Sequence, residues 1–591
     1  MDGITRNTEG ANDMGYLESY RAWRASPAVD AETKRELAAI AGDPAEIEDR
    51  FYRTLEFGTA GLRGVLGAGT NRMNVYVVRQ ATQGLADYLG AIPGAAQRGV
   101  CIAYDSRRCS DLFARETAAV LAGNGVRAYL FERLHAVPQL SFAVRHLGCA
   151  AGVVITASHN PAKYNGYKVY WSHGGQCAPE QAAEILARIE AAPLFGEKRC
   201  DFDQAVADGR ITLIGAAEDE AYYAASLSVL PCPALLRERG GALPVVYTPL
   251  HGTGCIPVQE LLRRAGVTQV YVVPEQAAPD GAFPTVHAPN PEDPDAFRLA
   301  IALAEEKGAR VCLATDPDAD RLGVAVRRAD GGWSVLTGNQ IGSLLLEHLL
   351  SAHRAQGTLP ANGAAVKSIV STRLADAIAA RYGVEMVDVL TGFRFISEKI
   401  DEYARTGEKT FLFGFEESYG FLAGGYSRDK DAILAAALAV EMCAAYDARG
   451  MTLYDGLQEL YRTYGYYKER VNSYTLEGKA GMERIAETMA TLRRVPITAV
   501  EDVSVTAYED YLSGTRFLAR GGGTEPLTLP RSDLVRLLLS DGSWIVVRPS
   551  GTEPKLKLYI GGRGETEAAV DAHLAALYTD MDARLSVLLG L

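Results

Sequence analysis

Val311-Cys312-Leu313-Ala314-Thr315-Asp316-Pro317-Asp318-Ala319-Asp320-Arg321 begins as an apolar, strand-like run and ends in three alternating aspartates and an arginine. In extended chain, side chains two apart point the same way. The carboxylates of Asp316, Asp318 and Asp320 can therefore converge on one hard cation such as Mg2+, and Arg321 adds fixed positive charge beside them. An EF-hand loop also opens D-x-D-x-D, but it needs Gly at its sixth position and a bidentate Glu at its twelfth; here Arg321 and Arg327 stand there. The competing reading of the segment alone is an Asp-rich turn whose side chains cap backbone N–H groups. The rest of the chain has to decide.

The run before the aspartates is one of a series. Short apolar strands are expected at 99–104, 127–131 and 151–155, with a helix over 110–123 between the first two, and again at Pro244-Val245-Val246-Tyr247-Thr248 and Val270-Tyr271-Val272-Val273. A helix around 338–353 opens a third set, with strands at 365–370, 385–389 and 410–414 and an Ala-rich helix over 431–447. Strands alternating with Ala- and Leu-rich helices are the mark of α/β construction. Ahead of them, residues 16–55 look helical, interrupted by Pro27 and Pro44. A polar stretch, 505–530, precedes a last strand-rich segment with alternation in Ser543-Trp544-Ile545-Val546-Val547 and in Lys555-Leu556-Lys557-Leu558-Tyr559-Ile560. The expected organisation is a helical extension (1–55), three α/β domains (56–215, 216–332 and 333–470) and a C-terminal α+β domain (471–591).

Composition sets bounds on function. A chain of 591 residues that is 48% hydrophobic has material for about four ordinary domains. Its nine scattered cysteines include no C-x-x-C pair, which speaks against a disulfide framework or a zinc site. No run of 18 apolar residues is present and the first residues lack a signal-peptide pattern, so the expectation is a cytoplasmic protein with no membrane partner. A formal net charge of -13 argues against sequence-independent nucleic-acid binding. It leaves room for a small anion held by local basic loops and metal.

Four loops carry candidate chemistry. Val153-Val154-Ile155 runs into Thr156-Ala157-Ser158-His159-Asn160-Pro161 and places Ser158 at the carboxyl end of a strand, where open α/β sheets build ligand sites. A serine hydroxyl needs a base, metal or oriented donors to react; His159, Lys168 and the Asp loop are the candidates, while an Asn-Pro turn is the bland alternative. A nucleophile elbow is excluded because G-x-S-x-G is missing around Ser158. Arg548-Pro549-Ser550-Gly551-Thr552-Glu553-Pro554-Lys555 combines a guanidinium fork, two hydroxyls and a glycine, a set suited to a phosphate dianion. Its near copy Arg520-Gly521-Gly522-Gly523-Thr524-Glu525-Pro526 lacks the serine and reads as a surface turn. Phe415-Glu416-Glu417-Ser418 offers acceptors for sugar hydroxyls. Gly58-Thr59-Ala60-Gly61-Leu62-Arg63-Gly64 fails the G-x-G-x-x-G spacing, and no P-loop is present, so no nucleotide is implied.

In this order, and with Tyr247-Thr248-Pro249-Leu250-His251-Gly252-Thr253-Gly254 between them, the loops resemble the α-D-phosphohexomutase superfamily and its bacterial phosphoglucomutase branch over nearly the whole chain. The resemblance implies a heart-shaped set of four domains around a central cleft. It implies a phosphoserine at Ser158, one Mg2+ per subunit on Asp316, Asp318, Asp320 and Ser158, and sugar reading by Glu416 and Ser418. It further implies a phosphate clamp of Arg548, Ser550, Gly551, Thr552 and Lys555. Arg63, Lys168 and His159 fall near the transferred phosphoryl, with Arg321 and Arg394 among the substrate contacts. The implied activity is interconversion of α-D-glucose 1-phosphate and glucose 6-phosphate, with glucose 1,6-bisphosphate as intermediate and activator, in a monomer or homodimer. Phosphoryl transfer through a loose transition state is catalysed chiefly by positioning and charge neutralisation, which this set supplies.

Two positions depart from the family pattern. Thr391-Gly392-Phe393-Arg394 has Arg where many relatives carry Lys, and Ala103-Tyr104-Asp105-Ser106-Arg107 has Ala where Gly is usual. Arg keeps the charge but does not readily shuttle a proton, so an acid–base role there would pass to Lys168 or His159. Mannose or pentose phosphates remain open as substrates, as do an inactive sugar-phosphate-binding relative and a metal-dependent phosphatase in which water accepts the phosphoryl.

Overall fold

Capping splits the helical N-terminal segment into three helices, Glu9–Ala25, Ala31–Ala39 and Pro44–Phe51. The Asp30 side chain accepts from the N–H groups of Glu32 and Thr33, that of Asp43 accepts from Glu46, and Pro44 takes a first-turn position that needs no donor. Their buried Tyr20, Trp23, Leu37, Ile47 and Phe51 share a small core with Ala68 and Tyr76. The computed structural model describes residues 9–58, 61–476, 478–519, 521–550 and 555–591.

The chain forms two compact units. One runs to Val326 and also takes Trp333–Val335 and Gly420–Ala444; the other comprises Arg327–Gly332, Leu336–Tyr419 and Ala445–Leu591.

The first unit holds two sheets. In one, Ala151–Ile155, Val100–Tyr104, Ala128–Phe131 and Ile211–Ile214 lie parallel and are continued by antiparallel Tyr164–Trp171 and Leu62–Val65. The parallel strands are almost wholly apolar because helices such as Val75–Gly90 and Ser110–Gly123 bury them. Two registers matter for chemistry: Val154 lies opposite Lys168, and Arg63 opposite Gly166. In the other sheet Val311–Thr315 is parallel to Val245–Thr248 and antiparallel to Leu322–Arg327, so residues 316–321 form the turn of a hairpin.

The second unit holds parallel Glu385–Val389, Gly363–Ser368 and Thr410–Glu416, and a C-terminal antiparallel sheet in the order 466–475, 555–564, 544–549, 535–539, 503–510, 515–518, 524–526. The polar stretch 505–530 therefore includes strands, the last of them, Thr524–Pro526, within the segment read from the sequence as a surface turn. Val505 and Tyr508 pack into the core, Glu509 is buried, and only the edge strand Thr524–Pro526 is exposed throughout. The α/β and α+β character expected from the sequence is thus present, with parallel strands in three sheets and an antiparallel fourth.

Candidate functional site

Ser158 follows the strand Ala151–Ile155 and adopts φ 51, a left-handed conformation costly for a residue with a Cβ. Its neighbours hold it there. Its N–H donates to Thr156 Oγ1 at 2.8 Å, and its carbonyl accepts from Arg107 Nη2 at 2.5 Å. Arg107 also donates to the carbonyls of Asn160, Pro161 and Tyr164, and its Nε lies 3.4 Å from the buried Asp105 carboxylate. The loop is thereby fastened along its length. The buried Ser158 hydroxyl then donates to Asp316 Oδ2 at 2.6 Å and lies 3.2 Å from His159 Nδ1. Burial and the charges of Arg321 and Arg63 keep the imidazole of His159 well below its usual pKa.

The Asp loop is fixed by backbone bonds from three distant segments: Thr253 N–H to Pro317 O at 2.8 Å, Val137 N–H to Asp318 O at 2.9 Å and Ala432 N–H to Ala319 O at 3.2 Å. Ala319 pays for the tight hairpin with φ 50. Within it, Asp316 Oδ1 accepts the N–H groups of Asp320 (3.1 Å) and Arg321 (3.0 Å). Asp316, Asp318 and Asp320 are all buried, and each brings a carboxylate oxygen within 4.8 Å of the other two. Asp318 Oδ2 accepts from Lys168 Nζ at 2.9 Å and from Thr156 Oγ1 at 3.2 Å. Burial and the neighbouring carboxylates push Asp316 and Asp320 up, whereas Lys168 and Lys430 outweigh burial at Asp318 and hold it low.

This arrangement fits a metal. Three buried carboxylates in mutual reach are expensive without a cation, and Asp318 Oδ1 and Asp320 Oδ1 are buried without a hydrogen bond among the described residues. Oxygen donors in such a set suit a hard divalent ion.

Several participants escaped the sequence reading. Lys430, on the segment Gly420–Ala444, places Nζ 3.1 Å from Asp320 Oδ2 and 3.0 Å from Asp429 Oδ1, while Asp429 Oδ2 accepts from Tyr170 OH at 2.7 Å. Glu292 Oε1 takes Arg321 Nη1 at 2.6 Å. Asp105 and Arg107 had been noted only as part of a motif. Arg63, on the strand Leu62–Val65, donates from Nη1 to Asn160 Oδ1 of the serine loop at 3.3 Å.

The remaining expected residues lie in the second unit. Buried Glu416 ends the strand Thr410–Glu416, and its Oε1 accepts the Gly392 N–H at 2.7 Å; Gly392 itself, at φ 119, leads into the helix Phe393–Thr406. Arg394 stacks 4.3 Å above the ring of Phe395. Ser418 sits half-buried in the turn after Glu416, and Glu417 Oε2 accepts from Ser368 Oγ at 2.8 Å. Arg548 donates to Tyr559 OH at 3.1 Å; burial opposes its charge, but Tyr559, Glu417 and Glu416 keep its pKa raised. The clamp arginine and the sugar-loop glutamates thus feel one another within one compact unit. The Ser550 N–H donates to Lys555 O at 2.7 Å and closes the base of the loop. Gly551 and Thr552 lie outside the described residues.

The sequence matches four family profiles in order: Phosphoglucomutase/phosphomannomutase, alpha/beta/alpha domain I over residues 54–194, domain II over 221–332, domain III over 337–464, and the C-terminal domain over 481–576. It is 40% identical over 517 residues to a phosphoglucomutase of Staphylococcus saprophyticus, covering 86% of this chain and 90% of that protein. With a phosphoglucomutase of Staphylococcus aureus the identity is 37% over 530 residues, covering 87% and 91%. Similar solved structures include a phosphoglucomutase/phosphomannomutase family protein from Burkholderia thailandensis (TM-score 0.63, 20% identity, 90% of this chain and 97% of that one). Another is pp63/parafusin from Paramecium in its open form (TM-score 0.64, 16% identity, 91% and 97%). At those identities the structures speak to fold alone.

Proposed function

The chain belongs to the phosphoglucomutase/phosphomannomutase family, and we propose that it is a phosphoglucomutase, interconverting α-D-glucose 1-phosphate and glucose 6-phosphate through phospho-Ser158 and glucose 1,6-bisphosphate. The observation that carries this reading is the strained Ser158 hydroxyl, 2.6 Å from Asp316 Oδ2 at the edge of a buried three-carboxylate group.

Asp316, Asp318, Asp320 and Ser158 would hold Mg2+, which supplies charge neutralisation to the transferring phosphoryl group. The chain's own residues do the rest. In the forward half-reaction the P–O bond to Ser158 Oγ breaks as a bond forms to the free 6-hydroxyl of glucose 1-phosphate. The proton of that hydroxyl leaves to His159, whose Nδ1 is 3.2 Å from Ser158 Oγ. Lys168, tied to Asp318, and Arg63, bonded to Asn160 of the serine loop, neutralise the equatorial oxygens. After the bisphosphate turns over, its 1-phosphoryl returns to Ser158 with the proton path reversed, leaving glucose 6-phosphate. Glu416 and Ser418 read sugar hydroxyls; Arg321, Arg394, Arg548, Ser550 and Lys555, with Gly551 and Thr552, bind the phosphate. We place the protein in the cytoplasm, with nine free thiols in keeping with a reducing compartment. No helix among the described residues is long and apolar enough to cross a membrane.

The test is a coupled assay for glucose 6-phosphate from α-glucose 1-phosphate with Mg2+ and a trace of glucose 1,6-bisphosphate. Turnover is expected, and is expected to vanish with chelator and in Ser158→Ala. A wild-type protein that is inert with glucose 1-phosphate but active with mannose 1-phosphate would overturn the sugar assignment and leave the chemistry.

A further inference from the structure

Phe283 is a bulky residue in the left-handed region, at φ 48, where glycine and short polar side chains are at ease and a large ring is not. It is 2% exposed, although its neighbours Ala282 and Pro284 lie at the surface, so the turn sends a single ring inward. The ring meets the residue that fastens the serine loop. Arg107 Cζ sits over it, 4.9 Å from the ring centroid. The nitrogens of that guanidinium are taken up by the carbonyls of Ser158, Asn160, Pro161 and Tyr164, with Asp105 beside Nε. An aromatic face attracts the charge without being a further acceptor, and the attraction is strongest away from water. Arg107 is itself only 2% exposed.

The turn is held at both ends. A Cβ added to Gly281 would stand 2.5 Å from Arg108 N and 2.8 Å from Ser106 O, so the segment lies directly on the backbone that carries Arg107. Asp280 shapes the turn: its Oδ1 accepts the Ala282 N–H at 2.8 Å and its carbonyl accepts the Phe283 N–H at 3.1 Å. Behind it stands His251, another left-handed residue, at φ 61. His251 O accepts the Asp280 N–H at 3.2 Å, while its Nδ1 lies 3.2 Å from Ala278 O and its Nε2 2.9 Å from Thr285 Oγ1. One residue on, a Cβ added to Gly252 would stand 2.4 Å from Pro317 Cα, and the Thr253 N–H donates to Pro317 O at 2.8 Å. Residues 278–285 are therefore tied to the Asp loop through His251–Thr253 and to the serine loop through Arg107.

We propose that Phe283 is a positioning residue for the nucleophile. Its ring holds the Arg107 guanidinium where it fixes the Ser158 carbonyl, and its strained turn keeps the serine loop in register with the Asp loop. Phe283 acts on Ser158 through Arg107. Its effect on turnover rests on the mutase reading; its effect on the loop does not.

The test places 3,4,5-trifluorophenylalanine at position 283 of the full chain, which keeps the shape of the ring and drains its negative face. Hydrogen exchange of the peptide 156–165 is a readout that packing alone would not move. Exchange there is expected to quicken about tenfold, the size of a lost buried cation–π contact, while the strand Ala151–Ile155 stays protected. Phe283→Leu, which fills space without a ring, should loosen the same peptide at least as much. In the glucose 1-phosphate assay kcat should fall about tenfold in both proteins with KM changed less than about twofold, since a misplaced serine slows transfer and leaves the sugar contacts alone. Wild-type exchange of this peptide in the fluorinated protein, or protection lost evenly along its whole chain, would overturn the proposal. A loosened serine loop in a protein that does not turn over glucose 1-phosphate would support it while removing the mutase reading.

Discussion

Arg107 Nη2 donates to the backbone carbonyl of Ser158 at 2.5 Å, so the residue that orients the nucleophile does so without touching its hydroxyl. The same guanidinium holds Asn160, Pro161 and Tyr164 and faces buried Asp105. Removing it strands a carboxylate in the core and frees a loop whose serine sits at φ 51. Arg107→Met is expected to cost about 3–5 kcal/mol in urea denaturation, the usual result of breaking a buried pair. kcat should fall about 10²-fold or more, because small misplacements of a reacting group are that costly. Arg107→Lys should recover part of the stability and little of the rate, since a single ammonium does not span four carbonyls. A rate unaffected by either change would show that the loop holds itself.

Asp316 has two tasks, accepting the Ser158 hydroxyl and facing the other two carboxylates. Asp316→Asn keeps the shape and removes one anionic donor. We expect weaker Mg2+ activation, read as a higher metal concentration for half-maximal rate, together with a kcat loss of about 10²–10³-fold. Intact-mass measurement after incubation with glucose 1,6-bisphosphate should show phosphate on the wild type and none on Ser158→Ala. Phosphate persisting on Ser158→Ala would move the phosphorylated residue elsewhere.

Lys430 supplies positive charge between Asp320 and Asp429. Lys430→Met leaves both carboxylates uncompensated when no metal is bound and makes the group a stronger cation trap. The metal-free protein should melt earlier, while the increase in Tm on adding Mg2+ should exceed that of the wild type, because a ligand for the folded state stabilises by mass action. Equal increments in the two proteins would mean that Lys430 does not share the field of the metal group.

The chemistry legible in the sequence was the chemistry contained in one continuous loop. Asp316, Asp318 and Asp320 declare themselves by alternation after an apolar strand, and Ser158 by its place at a strand end. Lys168 is a candidate in the sequence only as a nearby cation and through the family pattern; its place opposite Val154 comes from a strand that the sequence reading does not include. Lys430 and Glu292 were not found, since each arrives from a remote segment and carries no local pattern beyond an ordinary charged residue. The strands of 503–526 were hidden for a different reason: buried Glu509 and Asp510 put polar residues inside the first, and the exposed edge strand Thr524–Pro526 has the composition of a loop. Buried parallel strands such as Val100–Tyr104, Ala128–Phe131, Ala151–Ile155 and Val245–Thr248 were placed within a residue or two, whereas the half-exposed parallel strand Ile211–Ile214 was not.

Gly338 starts the helix Gly338–Gln356 against the sugar-reading turn, so closely that an added Cβ would collide with the backbone oxygen of Glu417. Gly338→Ala must push residues 417–419 aside. Overpacking of this kind costs about 1–3 kcal/mol. The functional signature should be a raised KM for glucose 1-phosphate, about tenfold, with a smaller change in kcat, since the displaced groups are proposed to bind sugar and not to transfer the phosphoryl. An equal loss in kcat and kcat/KM, with KM unchanged, would place the turn in the chemical step.

Glu469 gives the second unit a pH dependence of its own. On the strand Tyr466–Thr475 its carboxyl is enclosed, with Asn339 Nδ2 donating to Oε2 at 2.9 Å, and burial pushes its pKa up to about 7. In the unfolded chain the group ionises near the ordinary glutamate value of about 4.3. Between these two values the folded protein holds the proton that the unfolded chain has released. Stability is therefore greatest below the unfolded pKa, falls as pH rises through the window, and levels off above about 7, by at most about 3 kcal/mol because the residue keeps some contact with water. Glu469→Gln retains an acceptor for Asn339 and removes the titration, so its stability should be nearly flat across that window and should exceed the wild type at about pH 8. Thermal melts of the two proteins over this range make the comparison. A wild type whose Tm does not decline relative to Glu469→Gln would mean that Asn339 solvates the carboxylate well enough to offset its burial.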